Sequence, residues 1–178
     1  QGEPAKLLED ILREKGIEVL AWGENGFREV TNNVRPIKTP EDMKGLNMRV
    51  AGPMYIDVMN ALGANPQQMQ WGETMTALQQ GVVDGQENPI FWIESGGLYE
   101  VSPHLTFTGH GWFTTAMMAN QDFYEGLSDE DKELVQEASN AAYDHTIEHI
   151  KGLADDALAK IQEASDEVTV TRLNEEQI

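Results

Sequence analysis

The chain has 178 residues, enough for one hydrophobic core or two small lobes. Its 12 basic and 31 acidic residues give a net charge of −19, which argues against binding to nucleic acid or to an anionic membrane surface, because both need basic surfaces. The longest apolar runs are short, so no membrane span is predicted, and the absence of cysteine excludes disulfides and thiolate chemistry. Such an acidic surface also fits a protein exposed to high salt.

Short helices and strands alternate along the first half of the chain. Apolar spacing and capping residues predict helices over 4–15, 40–45, 53–62, 72–80 and 89–93. Strands are predicted over 17–22, 26–31, 46–50, 65–70 and 82–86. The first helix places its apolar residues on one face, which predicts that this face is buried. The alternation indicates βα units, a largely parallel sheet and an α/β fold.

The second half begins with strands over 105–108 and 114–119 that flank the segment Gly109-His110-Gly111-Trp112. Ser128 and the three acids after it predict the N-terminus of a long helix that reaches about Ala164. A strand over 168–171 and the start of a helix at Asn174 follow. Since the end segments need a sheet that the few strands supply only in part, we expect the chain to be a piece of something longer.

Three parts of the sequence combine residue types that suit capture of a small carboxylate. Arg49 ends a predicted strand, Trp71 precedes a helix, and Asn88 lies in the run Asp84–Pro89. Their steps of about 20 residues place one such side chain at the end of each successive strand–helix unit, where open α/β sheets bind ligands. A planar guanidinium suits bidentate capture of a carboxylate.

Each of these side chains also has an ordinary structural interpretation, which the spacing leaves open. Arg49, and Arg28 in its extended segment, can pair with a local acid instead of a ligand. Asn88 can serve as a turn or cap residue. The aromatic residues are either core residues or a stacking wall for a flat or cationic group; those concerned are Trp71, Trp92, Trp112 and Phe113.

The segment His145-Thr146-Ile147-Glu148-His149 spells H-x-x-E-H, an inverted zincin pattern. Two histidines four residues apart on a helix can share a metal ion, which keeps a metal-dependent hydrolase using His145 and His149 open as an alternative. The other interpretation is a pair of surface histidines on the long helix. No phosphate-binding glycine loop or G-x-S-x-G nucleophile motif is present, and the sequence predicts no catalytic residue, cofactor or metal.

These motifs resemble those of a known family. The resemblance is carried by Gly26-Phe27-Arg28, Met48-Arg49-Val50, Trp71-Gly72-Glu73 and Val83-Asp84-Gly85-Gln86-Glu87-Asn88-Pro89. They look like the DctP-type solute-binding proteins of TRAP transporters, over essentially the whole chain. The resemblance implies a periplasmic α/β protein of the two-lobed, type II-like binding-protein fold. Such a protein closes on an organic acid and hands it to the membrane permease subunits.

From Asp84 onward the chain is similar to the receptors for ectoine and hydroxyectoine in this family, a resemblance carried by residues 89–97, 111–118 and 144–149. The resemblance implies that Arg49 grips the ligand carboxylate and that Asn88 hydrogen-bonds the same ligand. It also implies aromatic pocket positions at Trp71 and Phe113, with Trp92 beside them. The acidic charge fits such a salt-adapted protein, and the H-x-x-E-H run then lies on an ordinary helix surface.

Arg28 matches a second arginine found in carboxylate-binding relatives, and it keeps a receptor for a simple organic acid, a dicarboxylate or a sugar acid, open. The resemblance implies four segments. They are part of lobe I over 1–25, lobe II over 26–110 with the ligand arginine, an interlobe strand over 111–127, and a long helix with a return strand over 128–178. Because the family is longer at both ends, the chain is expected to lack its N-terminal part and its C-terminal end.

Overall fold

The computed structural model describes residues 2–174, apart from the side chain at position 151. Two compact units form within the chain. Unit 1 comprises the chain up to Gly26 together with Phe113–Gly152, and unit 2 comprises Phe27–Trp112 and the chain from Leu153 onward. Within the described part, no helix is both long enough and apolar enough to cross a membrane.

Helices and strands alternate through the first hundred residues, as the sequence predicts. The helices are α1 (Glu3–Arg13), α2 (Pro53–Ala61), α3 (Trp71–Gln79), α4 (Ile90–Ser95), α5 (Gln121–Glu125) and α6 (Asp129–Ala164), with 3-10 turns at Pro40–Met43 and Leu98–Glu100. The strands are β1 (Ile17–Asn32), β2 (Asn47–Val50), β3 (Asn65–Gln68), β4 (Gly85–Asn88), β5 (His104–Asn120) and β6 (Thr169–Arg172). The short helix α5 was not predicted, and the predicted helix start at Asn174 runs into residues outside the described ones.

The six strands form one mixed sheet in the order β3-β2-β4-β1-β5-β6. Strand β2 runs parallel to both β3 and β4, and β5 runs parallel to β6. Strand β1 runs antiparallel to β4, with Glu29 opposite Asn88. The expectation of a largely parallel sheet is therefore correct for three of these pairings, and it fails where β1 meets β4.

Two glycine-rich segments that the sequence predicts as breaks are crossed by continuous strands. Strand β1 passes through Gly26 and β5 passes through Gly109, at φ values of +80° and +54°. Glycine adopts this backbone conformation without strain, so a strand can bend there without ending. At the second position the N–H of Gly109 donates to the Glu29 carboxylate over 2.9 Å. This backbone N–H therefore has a hydrogen-bond acceptor at the bend of the strand.

Unit 2 contains two clusters of buried apolar side chains. The first consists of Val30, Ile37, Met43, Leu46, Met48, Val50, Tyr55, Met59 and Ala64. The second consists of Ala77, Leu78, Val83, Ile90, Ile93, Leu98, Leu105, Ala157 and Ile161. Strands β2 and β4, which carry the candidate ligand residues, thus belong to a rigid, well-buried frame.

Unit 1 has far less buried apolar surface among the described residues. Its buried apolar side chains are Leu20 and Ala21 on β1. On α1, Leu7, Leu8 and Ile11 are exposed, so the prediction of a buried apolar face on this helix is wrong for the described chain. The hydrophobic pattern correctly located the helix, but it does not by itself supply a surface to cover that face.

Candidate ligand-binding site

Arg49 lies near the carboxyl end of β2, as the sequence predicts, opposite Gln67 of β3 and Gln86 of β4. Its side chain is only 3% exposed. Nε donates to the carbonyl oxygen of Met69 over 3.0 Å, and among the described residues no acceptor is hydrogen-bonded to its two terminal nitrogens. Burial is the main influence on the guanidinium and lowers its pKa; the field of Glu87 opposes this shift and that of Arg28 adds to it. A buried cation of this kind is stabilised by an incoming anion.

Trp71 is the first residue of α3, and its ring centroid lies 5.8 Å from Cζ of Arg49. Trp92 of α4 meets it edge-on, with the ring centroids 6.1 Å apart at 69°. Trp71 and Trp92 are 41% and 40% exposed, so both residues are partly accessible beside the buried cation. The structure thus brings together Arg49, Trp71 and Trp92, three of the predicted site residues.

Arg28 is fully buried on β1 and is held by Glu87, which is also fully buried, on β4. Its Nε donates to Oε2 of Glu87, and its Nη2 donates to Oε1 of the same carboxylate over 3.0 Å. The same Nη2 donates to the Glu87 carbonyl oxygen over 2.7 Å. A two-point contact between guanidinium and carboxylate is the strong form of ion pair, so this arginine has an internal acid as its partner.

Asn88 ends β4 and connects the ion pair to a row of neutral amides. Its Oδ1 accepts from Nη2 of Arg28 over 3.1 Å, and its Nδ2 donates to Oε1 of Gln86 over 2.6 Å. Nε2 of Gln86 then donates to Oγ1 of Thr31 over 2.9 Å. This chain of hydrogen bonds fixes the orientation of the Asn88 amide, with its oxygen toward Arg28 and its nitrogen toward Gln86.

Three further residues contribute to this region and were not assigned a role from the sequence. Glu87 pairs with Arg28, and the Tyr55 ring lies 4.5 Å from the guanidinium carbon of that arginine. Nε2 of His110 lies 3.5 Å from Oε2 of Glu87. The sequence contained a signal for the role of Glu87. Strand β4 is polar at every position after its glycine, although it lies where a buried strand is expected. A buried acid in such a strand requires a cationic partner.

The other aromatic and histidine side chains singled out in the sequence are found on β5 and α6. Phe113 belongs to the part of β5 that falls in unit 1 and is half-buried. Trp112, which the sequence groups with the possible stacking wall, contacts Phe27 instead, with ring centroids 4.7 Å apart. On α6, His145 and His149 stack with their ring centroids 5.1 Å apart. Within residues 2–174, no cluster of three or more metal-ligating side chains is formed, at these histidines or elsewhere.

A buried arginine with available terminal nitrogens, two partly exposed indoles and an ordered amide thus lie on one α/β frame. The whole chain, residues 1–178, matches the bacterial extracellular solute-binding protein family 7, DctP. The chain therefore belongs to this family, a family of binding proteins rather than enzymes, as the sequence motifs predict.

Several characterised proteins are similar to the chain. It is 61% identical over 169 residues to the ectoine-binding periplasmic protein TeaA of Halomonas elongata, covering 94% of this chain and 49% of that protein. The solved structure of the ectoine-binding protein of the TeaABC TRAP transporter from this organism matches with a TM-score of 0.94 at 59% identity, over 97% of this chain and 56% of that one.

Two other relatives are more distant. The ectoine/5-hydroxyectoine-binding periplasmic protein UehA of Ruegeria pomeroyi is 42% identical over 172 residues, covering 96% of this chain and 50% of that protein. The sugar acid binding protein DctPAm of Advenella mimigardefordensis, solved with galactonate, matches with a TM-score of 0.93 at 32% identity, over 99% of this chain and 56% of that one. The chain spans about half the length of the curated relatives it matches.

These similarities confirm the predicted family and the α/β binding-protein fold class. The predicted periplasmic location agrees with the names of the relatives, which are periplasmic binding proteins. The assignment of residue ranges to lobes and the roles of the six predicted ligand residues remain predictions.

Proposed function

We propose that this chain forms part of an extracytoplasmic solute receptor of a TRAP transporter, and that its solute is ectoine or hydroxyectoine. The observation that carries the proposal is the state of Arg49: it is buried, its Nε is fixed by the Met69 carbonyl, and its terminal nitrogens are available beside an indole ring. The 61% identity to an ectoine-binding protein supports this choice of solute.

Ectoine combines one carboxylate with a delocalised cationic ring, and the proposed site has a group for each. The carboxylate pairs with the terminal nitrogens of Arg49 through charge-assisted hydrogen bonds. The cationic ring stacks against Trp71, with Phe113 and Trp92 as the other aromatic contacts, for about 1–2 kcal/mol per desolvated contact. Asn88 hydrogen-bonds the ligand, and Arg28 supports the site behind it.

In the complete receptor, residues 1–25 contribute to lobe I, 26–110 form lobe II, and 111–127 and 128–178 form the interlobe strand and the long helix with its return strand. The receptor closes on the solute, stabilised by contacts that exist only in the closed state. It then delivers the solute to the membrane permease subunits of the transporter.

Calorimetry on the full-length protein tests this proposal, with ectoine, hydroxyectoine, succinate and galactonate as ligands. We expect ectoine or hydroxyectoine to bind most tightly, and Arg49→Met to weaken that binding by 2 or more orders of magnitude, which corresponds to at least about 2.7 kcal/mol. Arg172→Met is the matched control, because Arg172 lies on β6, at the opposite edge of the sheet from β3 and β2, and covers the Phe107 ring.

A receptor for a simple organic acid is the second candidate, and the galactonate-bound relative favours it. The same measurements separate the two candidates, because a sugar acid or dicarboxylate receptor would bind galactonate or succinate more tightly than ectoine. An unchanged ectoine affinity in Arg49→Met would show that Arg49 does not hold the carboxylate.

A further inference from the structure

Two histidines lie side by side on the surface of α6 and have no part in the proposed solute site. His145 and His149 are four residues apart and therefore share one face of the helix. Their imidazole rings stack with the centroids 5.1 Å apart and the planes inclined at 29°. Both side chains are exposed, and among the described residues no hydrogen bond to either ring is formed.

The other two of the four histidines differ, because each uses a ring nitrogen within the fold. Nδ1 of His104 is hydrogen-bonded to Oγ1 of Thr169, and Nδ1 of His110 to Oγ1 of Thr108, both over 2.7 Å. In the described part of the chain, the α6 histidines are therefore the pair of imidazoles whose nitrogens are available to a ligand from solvent.

We propose that His145 and His149 together bind a divalent transition-metal ion such as Cu²⁺ or Zn²⁺, a site that is independent of the proposed solute. Neutral imidazole is a ligand that these ions prefer. Metal–nitrogen bonds of about 2.0–2.1 Å place the two ligating nitrogens about 3 Å apart. Cβ atoms four residues apart on a helix are about 5–6 Å apart, so rotation of the two exposed rings brings their nitrogens to that separation.

The helix face around the pair leaves room for an ion and its water ligands. Ala141 and Ala142 lie one turn before the pair, Gly152 lies one turn beyond it, and all three are exposed. A side-chain atom added at Gly152 would meet nothing within 4 Å. Among the described residues no third metal-ligating side chain joins the pair, so water fills the other coordination positions.

Such a site differs from that of a metal-dependent hydrolase, because a catalytic zinc ion keeps three protein ligands and the described residues supply two. Asp144 and Glu148, both exposed, border the pair on a chain with a net charge of −19. Their charge raises the local concentration of cations. Carboxylates suit Mg²⁺ and Ca²⁺, so the imidazoles supply the preference for a transition metal.

Calorimetric titration of the metal-free, full-length protein with Cu²⁺, Ni²⁺ and Zn²⁺ tests the site. A pH of about 7.5 keeps the imidazoles neutral, and excess Mg²⁺ occupies the carboxylates. We expect Cu²⁺ to bind more tightly than Ni²⁺ or Zn²⁺. His145→Gln and His149→Gln should each weaken binding by about tenfold or more, because loss of a group that only orients a ligand already costs about 10–100-fold.

His104→Gln is the matched control, because it removes a histidine that lies on β5 and is bonded to Thr169; the metal affinity should not change. Asp144→Asn/Glu148→Gln tests the neighbouring carboxylates. It should weaken binding by at most about fivefold, because exposed charges interact weakly in water.

A wild-type affinity in either histidine variant would overturn the inference, since the site needs both nitrogens. So would displacement of Cu²⁺ by Mg²⁺, or a loss in the carboxylate variant as large as that in the histidine variants, because either would place the ion on the acidic surface. If circular dichroism shows that a histidine variant does not fold, NMR of wild-type protein decides. Paramagnetic Cu²⁺ should broaden the imidazole signals of His145 and His149 before that of His104, and equal broadening of all three would overturn the inference.

Discussion

Two buried arginines in unit 2 differ in what surrounds them. Around Arg28 the fold supplies a carboxylate bonded at two points, a carbonyl oxygen, an amide oxygen and an aromatic ring. Around Arg49 it supplies one carbonyl oxygen and the neighbouring indole of Trp71. Burial lowers the pKa of Arg49, because it disfavours the charged form of the guanidinium. The comparison separates an arginine that has an internal acid as its partner from one that has none among the described residues.

Breaking the internal pair should produce the largest change in stability. Arg28→Met leaves Glu87 buried without its cation, and removing one member of a buried ion pair typically lowers the free energy of unfolding by about 3–5 kcal/mol. Arg49→Met should leave that free energy almost unchanged or raise it, because it removes a buried charge that lacks an internal acid. Urea denaturation of the full-length protein without ligand measures both effects.

Adding Glu87→Leu to Arg28→Met should recover most of the loss, since well-packed apolar residues can replace a buried ion pair at little cost. If Arg49→Met proved as destabilising as Arg28→Met, the distinction between the two arginines would fail. Arg49 would then be a structural residue, and the ligand would have to be held elsewhere.

A smaller effect is expected from the ring beside Arg49. Trp71→Leu removes the indole next to the guanidinium and should weaken ectoine binding by about tenfold, or about 1.4 kcal/mol, because a desolvated cation–π contact contributes about that much. Trp71→Phe should retain most of the affinity. Trp112→Leu is the control, since this exposed indole contacts Phe27 and not the arginine. Equal losses in both tryptophan variants would point to a general effect on the fold.

The sequence predicted the parts of this region that depend on local order along the chain. Arg49 lies at the end of β2 and Asn88 at the end of β4, where the strand–helix alternation placed them. The pairing of Arg28 with Glu87 was not predictable in this way, because the two residues are 59 positions apart and meet only since β1 runs antiparallel beside β4. A sheet assumed to be largely parallel gives no reason to place them together.

A last prediction concerns the other buried acid, Glu29. Glu87 has a buried arginine as its partner, whereas Glu29 accepts from the backbone N–H of Gly109. Burial raises the pKa of Glu29, and backbone hydrogen bonds and the charges of His110 and Arg172 oppose the shift only in part. Folding therefore favours the protonated form. The stabilising effect of that proton is fully present below the unfolded-state pKa, near about 4.3, and is lost as the pH rises through the higher folded-state pKa.

Glu29→Gln should remove this dependence, because glutamine keeps an oxygen that accepts from Gly109 and carries no charge. The difference in free energy of unfolding between variant and wild type should then grow in favour of the variant as the pH rises above about 4.3, by at most about 1.4 kcal/mol per pH unit, and level off above the folded-state pKa. Urea denaturation at a series of pH values measures this difference. A difference that stayed constant with pH would show that burial does not perturb Glu29, and one that shrank would show that its carboxylate is stabilised in the ionised form, as a paired acid is.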